Sequence, residues 1–470
     1  MFSPAEIKLF DSINRGQPAD YRTPSTEQPP LPTAPWSDDR TISADAIRAI
    51  LTDSIPAVSP GPAGIRILGA RIIGDLHLSS FQIGFPLELN GCMIERPIEL
   101  NHAKLDSLNL AGSSIHGMDA ELLELSSSLF LSNGFVADDE ICLRRARIGG
   151  DLSCIGGQFR HPQHVALDAA GALIHGHVLL SNALTVNGQV NLTGAQIDGL
   201  FYCAHGLIEN PGSLALTIDN AHFARDVILM NAFKIRGEVS CTGAKINGML
   251  YCSNSSLDNE GGNALSADKV FVGGEALLGN WFYAKGGVRF CNAVIRGGLR
   301  CVGGAFDNPG GAALLLNGAQ IGASIHMHTR FLANGAVQLD CATVGGNFIC
   351  SGASFQNSHG IALSLSGAKV KGNVALNNGF RARGAVMIDS ASIGELMCSE
   401  GRCENPGGIA LSVSDARIDG NVYLNDGFRS LGIVRIENTS VQGELDCSDG
   451  IFEQAAGTVL SAAAPRVSRK

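Results

Sequence analysis

Histidine and carboxylate side chains recur at related positions of a repeated unit in the middle of the chain. His175 and Asp198 occupy the same position of neighbouring units, and His177, His222 and Asp226 lie on diagonals around them. A histidine and a carboxylate on adjacent strands, about 4.8 Å apart, have the residue types needed for zinc binding or acid–base catalysis. The alternative is a surface ladder of hydrogen-bonded side chains. We favour the ladder and predict no metal site and no catalytic residue.

The motifs of common enzyme classes are absent from the sequence. It contains no P-loop, no CxxC pair and no HExxH, and the pairs Gly261-Gly262 and Gly273-Gly274 do not open a helix after a strand. Leu200 and Met249 interrupt any extended carboxylate groove of the kind that polysaccharide-cleaving β-helices carry. We therefore predict a non-enzymatic protein without a cofactor. A metal-dependent or carbohydrate-active β-helix enzyme remains a remote alternative.

The elements that position these residues are repeats, marked by seven cysteines with spacings of 49, 49, 49, 49, 48 and 49 residues. Each cysteine closes the same phrase, as in Ala195-x-Ile197-x-Gly199-x-Phe201-x-Cys203. A second copy of the phrase lies halfway along each unit, with Leu in place of Cys, so one turn takes about 24 or 25 residues. The seven cysteines are Cys154, Cys203, Cys252, Cys301, Cys350, Cys398 and Cys447.

Within each turn, apolar and polar residues alternate with the period of 2 that is typical of β-strands. The chain also contains 58 glycines, and segments such as Asn210-Pro211-Gly212 predict tight corners. Short strands stacked in successive coils satisfy this pattern. We therefore predict an all-β fold, a right-handed parallel β-helix of about 16 coils between Ile65 and Ala462, with a small N-terminal helical cap.

The repeat cysteines are predicted to point into the core. They alternate along one column with leucine or methionine, which places successive cysteines about 9.6 Å apart, two strand spacings. A disulfide needs Cα atoms within about 7 Å, so we interpret the cysteines as buried, reduced packing residues of a cytoplasmic protein. The alternating residues are Leu180, Leu229, Leu278, Met327, Leu376 and Leu424.

The chain divides into four segments. Residues 1–58 form an N-terminal helical cap and a proline-rich arm, with helix signals at Ser3-Pro4-Ala5-Glu6 and over Ser43–Leu51. Residues 59–140 form irregular first coils, 141–462 the regular β-helix, and 463–470 a disordered basic tail after an uncapped last coil. The N-terminus has no secretory signal pattern, and no run of apolar residues is long enough to cross a membrane.

The phrase Gly194-Ala195-Gln196-Ile197-Asp198-Gly199-Leu200 resembles the repeats of bacterial pentapeptide-repeat proteins and of bactofilin-like solenoids. The coils of this chain are longer than the 20-residue coils of the pentapeptide family. Some members of that family are acidic rods that mimic DNA and bind topoisomerases. The resemblance therefore implies a β-helix and, because the net charge is −10, a DNA-mimic role as an alternative function.

An apolar ladder is predicted on the outside of the coils, at the position before the Cys/Leu column. Because outward strand positions are usually polar, such a ladder predicts a buried partner surface, and we expect a homodimer. The proline-rich arm, or an error in the inward register, would be the alternative account. The ladder comprises Leu179, Tyr202, Ile228, Tyr251 and Leu277, with Leu200 and Met249 one position away.

A second outward feature is a basic stripe at one corner, where the phrase Asn-x-Phe-x-x-x-Gly recurs. It is a candidate surface for a polyanion or an acidic partner, although a solvated corner is the simpler interpretation. The stripe lacks interleaved aromatic residues and a base-reading motif, so the prediction is that nucleic acid is not its partner. Its residues are Lys234, Arg236, Lys285, Arg330, Arg381, Arg383 and Arg429.

Taken together, these patterns predict a cytoplasmic bacterial scaffold or protein-binding solenoid that acts through its flat faces and associates with itself. The alternative is the acidic DNA-mimic rod acting on a DNA-handling enzyme. Such a mimic needs one continuous acidic face, whereas the columns aligned here mix His, Leu, Lys and Asp.

Overall fold

A computed structural model describes residues 2–23, 36–454, 459–461 and 466–467. It is all-β, with three parallel sheets that form a β-solenoid of about 17 turns, one more than predicted. The chain separates into two compact units: unit 1 contains residues 1–228 and 233–236, and unit 2 contains residues 229–232 and 237–470. The division falls inside two strands, Val227–Met230 of sheet A and Phe233–Ser240 of sheet B.

The N-terminal segment contains the two predicted helices. Pro4–Asn14 begins with a capping box in which the Ser3 and Glu6 side chains satisfy each other's backbone N–H groups, and Ala44–Leu51 is capped by Ser43. A 3₁₀ turn lies at Asp38–Arg40. The segment also adds the strands Ala19–Asp20 and Thr41–Ser43 to the first coil, a pairing that the sequence did not predict. The proline-rich stretch from Pro24 to Pro35 lies outside the described residues.

In unit 1, sheets A and C take one strand from each coil. Sheet B takes two short strands from each early coil and one longer strand from each later coil. Sheet A comprises Ala19–Asp20, Ile65–Leu68, Leu87–Asn90, Leu108–Asn109, Leu129–Phe130, Leu152–Ser153, Val178–Ser181 and Phe201–Ala204. Sheet B comprises Thr41–Ser43, Arg71–Ile73, Leu76–His77, Met93–Ile94, Ile98–Glu99, Ser114–Ile115, Met118–Asp119, Val136–Ala137, Ile141–Cys142, Gln158–Asp168, Thr185–Asn191 and Leu207–Thr217. Sheet C comprises Gln82–Ile83, Lys104–Leu105, Glu124–Leu125, Arg147–Ile148, Leu173–Ile174, Gln196–Ile197 and His222–Phe223.

Unit 2 repeats the same three-sheet arrangement. Sheet A comprises Leu250–Tyr251, Ala276–Leu277, Leu299–Arg300, Ile325–His326, Phe348–Ile349, Val374–Ala375, Leu396–Met397, Val422–Tyr423 and Leu445–Asp446. Sheet B comprises Ser255–Ser266, Tyr283–Arg289, Ala305–Leu315, Leu332–Gln338, Ser354–Ser364, Arg381–Met387, Arg402–Ser412, Arg429–Arg435, Ile451–Glu453 and Leu460–Ser461. Sheet C comprises Lys245–Ile246, Phe271–Val272, Val294–Ile295, Gln320–Ile321, Thr343–Val344, Lys369–Val370, Ser392–Ile393, Arg417–Ile418, Ser440–Val441 and Arg466–Val467.

The 49-residue period arises from alternating long and short coils. In unit 2, the sheet A strands begin at Leu250, Ala276, Leu299 and Ile325, so successive coils take 26, 23 and 26 residues. The long coils carry sheet B strands of 11 or 12 residues and the short coils strands of 7 residues. The first coils of unit 1 lack the long strands, and the coil that begins at Leu87 takes 21 residues. This difference explains why the early sequence looks irregular.

Each long sheet B strand of unit 2 contains a loop that departs from the strand register, and an asparagine side chain closes this loop. The Asn308 side chain donates a hydrogen bond to the carbonyl oxygen of Ala312 at 2.9 Å, and Asn405 does the same to Ile409 at 2.8 Å. In the next coil, the residue that lies against this loop is a glycine with positive φ. At Gly335, where φ is 122°, an added Cβ would lie 2.4 Å from the Asn308 carbonyl oxygen. Only glycine can therefore occupy this position.

The core contains the predicted cysteine column. Six of the seven repeat cysteines are buried, Cys447 is half-buried, and all thirteen cysteines of the chain are free. A second internal column is a stack of phenylalanines in unit 2, with ring centroids 5.3 to 5.4 Å apart. The stacked residues are Phe282, Phe306, Phe331, Phe355 and Phe380.

The C-terminal region differs from the predicted disordered tail at one point. Arg466–Val467 form a strand that pairs with Ser440–Val441 in sheet C. Arg466 and Val467 lie one coil after Ser440 and Val441 and directly opposite them, so the strand extends sheet C in the same register. The other positions of the predicted tail lie outside the described residues. After Leu51 the described part of the chain contains no further helix.

Candidate functional site

The predicted apolar ladder in unit 1 faces outward. Leu179 and Tyr202 lie directly opposite each other on adjacent strands of sheet A, and Ile228 takes the corresponding position in Val227–Met230. All three side chains are half-buried, between fully buried neighbours on either side in sequence such as Val178 and Cys203. The alternation shows that the inward register was assigned correctly. Leu200 is half-buried as well, at the turn that precedes the strand.

In unit 2, Tyr251 and Leu277 are also directly opposite and half-buried, and Met249 is half-buried beside them. The same column then becomes polar at Arg300 and His326. Beyond these two residues it is apolar again over four consecutive strands, which sequence reasoning missed. We call this segment the Ile349 column. It comprises Ile349, Ala375, Met397 and Tyr423, all half-buried.

The signal for the Ile349 column was present in the sequence. Each of its residues directly precedes an inward Cys or Leu: Cys350, Leu376, Cys398 or Leu424. The apolar ladder predicted from the sequence ends at Leu277, before the polar interruption. In the structure, the interruption at Arg300 and His326 separates two apolar segments on one sheet face of unit 2.

The histidine–carboxylate cluster is arranged as a surface ladder. Nδ1 of His175 lies 2.7 Å from Oδ2 of Asp198, and each side chain is 54% exposed. His177 serves the backbone instead, since its Nδ1 accepts a hydrogen bond from the Leu200 N–H at 2.9 Å. His222 and Asp226 are half-buried and have partners of their own. The structure thus brings His175 and Asp198 together as an exposed pair, while His177 is engaged by the backbone.

Within residues 2–23 and 36–454, no three His, Cys, Asp or Glu side chains lie close enough together to hold a metal ion. The arrangement of His175 and Asp198 therefore provides two donors, where structural and catalytic zinc sites use three or four.

Salt bridges neutralise part of the basic stripe. Lys285 donates to Glu260 at 2.6 Å, and Arg236 contacts Glu209 across adjacent coils. Lys234 and Arg330 are exposed, and Arg330 lies at a corner with φ of 66°. These contacts make the stripe a series of local ion pairs and single charges, each worth little in stability at an exposed surface.

The stripe is densest at one place in unit 2, where three arginines lie directly opposite each other. Arg381, Arg402 and Arg429 occupy consecutive strands of sheet B. Arg402 was missed by sequence reasoning because its corner lacks the Asn-x-Phe phrase. Glu404 contacts both Arg402 and Arg383. Like charges directly opposite on adjacent strands repel, which the single carboxylate of Glu404 offsets in part.

No family model, no curated protein and no solved structure matches this chain. In the part of the chain that the structure describes, no helix has the length and apolar character needed to span a membrane.

Proposed function

We propose that this chain is a non-enzymatic binding protein or scaffold that associates with protein surfaces, including a second copy of itself, through the outward face of sheet A. The observation that carries the proposal is the apolar character of outward strand positions, Leu179 and Tyr202 in unit 1 and the Ile349 column in unit 2. Single apolar residues are common on surfaces, whereas contiguous apolar columns mark interaction sites.

The energetics favour such an association. Burial of apolar surface contributes roughly 25 cal/mol per Å², so covering four or five of these side chains on both partners supplies several kcal/mol. The loss of translational and rotational freedom opposes this gain by an amount of about the same order. An association of moderate strength is therefore expected, and a closed twofold dimer is its commonest form.

Mutations that place charge in the apolar columns test the proposal. We expect a dimer at tens of micromolar by light scattering, and monomers for Tyr202→Glu with Tyr251→Glu or for Ile349→Glu with Met397→Glu, depending on which segment is used. The matched control is Thr343→Glu, an exposed strand position of sheet C. A monomeric unmodified chain would refute self-association. A dimer that survives both double substitutions would refute the assignment to this face.

The DNA-mimic alternative receives less support from the arrangement of charge. A mimic requires a continuous acidic surface, and sheet B of unit 2 carries three consecutive arginines in one outward column. Sheet A of unit 2 carries Arg300 and His326 between apolar segments. The net charge of −10 is thus distributed among interspersed signs.

The proposed setting is the bacterial cytoplasm. Ten of the thirteen cysteines are buried and all are free, which supports a reducing compartment. The resemblance of the repeats to bacterial solenoids supports the bacterial origin.

A further inference from the structure

A small cavity opens on the surface of unit 2 where the outward column of sheet A is polar. Its volume is about 120 Å³, and its lining includes Ser253, Leu277, Asn280, Arg300 and His328. Asn280, Arg300 and His328 belong to none of the features that the sequence predicts. The apolar association surface proposed above does not include them.

The cavity lies at a short corner between two longer ones. The coil that carries Arg300 turns through Gly303 and Gly304, whose corner is one residue shorter than those of the coils on either side, an alternation that recurs in every second coil of the unit. The glycines at this corner contribute no side chains. The longer corners carry Asn280 and Trp281 in one neighbouring coil and Thr329 and Arg330 in the other, all with positive φ.

The corner residue Trp281 follows Asn280 of the cavity lining in the chain, and its side chain is 74% exposed. Its φ is 72°, a left-handed conformation that costs a residue with a Cβ roughly 1–2 kcal/mol. At the equivalent corners of later coils in the same unit, this position is Arg330 with φ of 66°, and Gly379 and Gly427 with φ of 84° and 82°. Left-handed backbone is therefore general at this corner, and the distinguishing feature of Trp281 is its large exposed aromatic ring.

The polar groups at the cavity are donors that lack partners or carry positive charge. The Ser253 hydroxyl oxygen is buried and has no hydrogen-bond partner among the described residues. The Arg300 guanidinium has one carboxylate nearby, Glu275 at 3.9 Å, beyond hydrogen-bond distance. Nδ1 of His328 shares a hydrogen bond of 2.8 Å with the Thr329 hydroxyl, and its other ring nitrogen has no hydrogen-bond partner among the described residues.

Arg300 is the charged residue of the cavity lining, and the Glu275 carboxylate lies 3.9 Å from its guanidinium. Partial burial and the Arg300 charge hold the pKa values of His326 and His328 below their usual range. The charge of His328 lowers the pKa of His326 further, whereas the Glu275 carboxylate acts to raise it. A buried hydroxyl, a guanidinium and the imidazole of His328 line one small concavity and suit a compact oxyanion, which guanidinium groups bind with paired hydrogen bonds.

We propose that this cavity binds a phosphate or sulfate oxyanion, held by Arg300, His328 and Ser253, with Trp281 packing against whatever group carries the anion. The ligand is either the free inorganic ion or a monoester. The proposal does not require self-association through the apolar columns, and Leu277 of the apolar ladder is the residue that both surfaces share.

Calorimetry with inorganic phosphate and with phenyl phosphate tests the proposal and separates the two sources. Arg300→Gln and Ser253→Ala should each weaken both ligands, Arg300→Gln by roughly tenfold or more because it removes a charged hydrogen bond. Tighter binding of phenyl phosphate than of phosphate, lost in Trp281→Gly, identifies a monoester as the ligand. Equal affinities that Trp281→Gly leaves unchanged identify the free ion and refute the role of Trp281.

Two further measurements guard against trivial explanations. In NMR titrations, phosphate should raise the pKa of His328, because a bound anion stabilises the imidazolium. Trp281→Gly should unfold at the same or a higher denaturant concentration, since it relieves a strained backbone. The matched control is Arg417→Gln, an exposed arginine of the same unit paired with Asp419. No binding of either ligand at millimolar concentration, or equal weakening by Arg417→Gln and Arg300→Gln, would overturn the proposal.

Discussion

The phenylalanine stack of unit 2 gives the sharpest test of what holds the coils together. Phe331 is 1% exposed, and its ring centroid lies 5.4 Å from that of Phe306 and 5.3 Å from that of Phe355. Phe331→Ala removes the ring from between two others. We expect a loss of about 3–5 kcal/mol for the cavity and the lost burial, including about 0.5–1.5 kcal/mol for each aromatic contact.

The adjacent residue supplies a matched control. Leu332 follows Phe331 in the chain but points outward and is 39% exposed. Leu332→Ala should cost less than about 0.5 kcal/mol, as most surface substitutions do. Phe331→Leu should fall between the two because it keeps most of the buried apolar volume.

Hydrogen exchange is the appropriate assay, since a solenoid need not unfold in one step and each coil depends mainly on its neighbours. Amides of Ala305–Leu315, Leu332–Gln338 and Ser354–Ser364 should lose protection in Phe331→Ala. Those of distant coils such as Leu445–Asp446 should keep it. If Phe331→Ala proves no more destabilising than Leu332→Ala, or if protection falls uniformly through the unit, the stack does not stabilise neighbouring coils as argued.

Two further predictions concern titratable groups. Burial raises the pKa of Cys252 to about 12, and Cys341 is the exposed cysteine. A thiol reagent should therefore label Cys341 rapidly, Cys291 and Cys447 slowly, and the ten buried cysteines only on unfolding. Rapid labelling of Cys252 in the native protein would show that it does not lie in the core. The lowered pKa values of His326 and His328 mean that, as pH falls below about 6.5, the unfolded chain takes up protons before the folded one. Stability should thus fall with pH in that range, and His326→Gln with His328→Gln should flatten this dependence in denaturant titrations at several pH values.

The outward surface shows where sequence reasoning stopped. The apolar residues Leu179, Tyr202, Tyr251 and Leu277 could be placed outside because they precede inward residues in a strict alternation. The same rule places Met397 outside, but the polar residues earlier in the column, Arg300 and His326, interrupt the apolar pattern before it resumes. Whether an outward column is continuous depends on which residues lie opposite each other on adjacent strands, and that register depends on the length of every intervening corner.

The oxyanion cavity was beyond the reach of the sequence for the same reason. Arg300 and His328 lie in different coils, and the chain between them gives no sign that they share a concavity. Their proximity results from the register of sheet A, in which Arg300 lies opposite His326, two residues before His328. That register is known only after the strands have been aligned by their hydrogen bonds.

The sequence by itself determined the repeat, the strand period, the inward column of cysteines and the positions of both N-terminal helices. These features depend on local chemistry: the side-chain alternation of a strand, the volume of a core position and the capping of a helix end by Ser3 or Ser43. Tertiary structure alone decided which side chains from different coils meet, as His175 meets Asp198 and Arg381 meets Arg402. Such contacts depend on the strand register, because a shift of one residue exchanges the inward and outward faces and moves every outward partner.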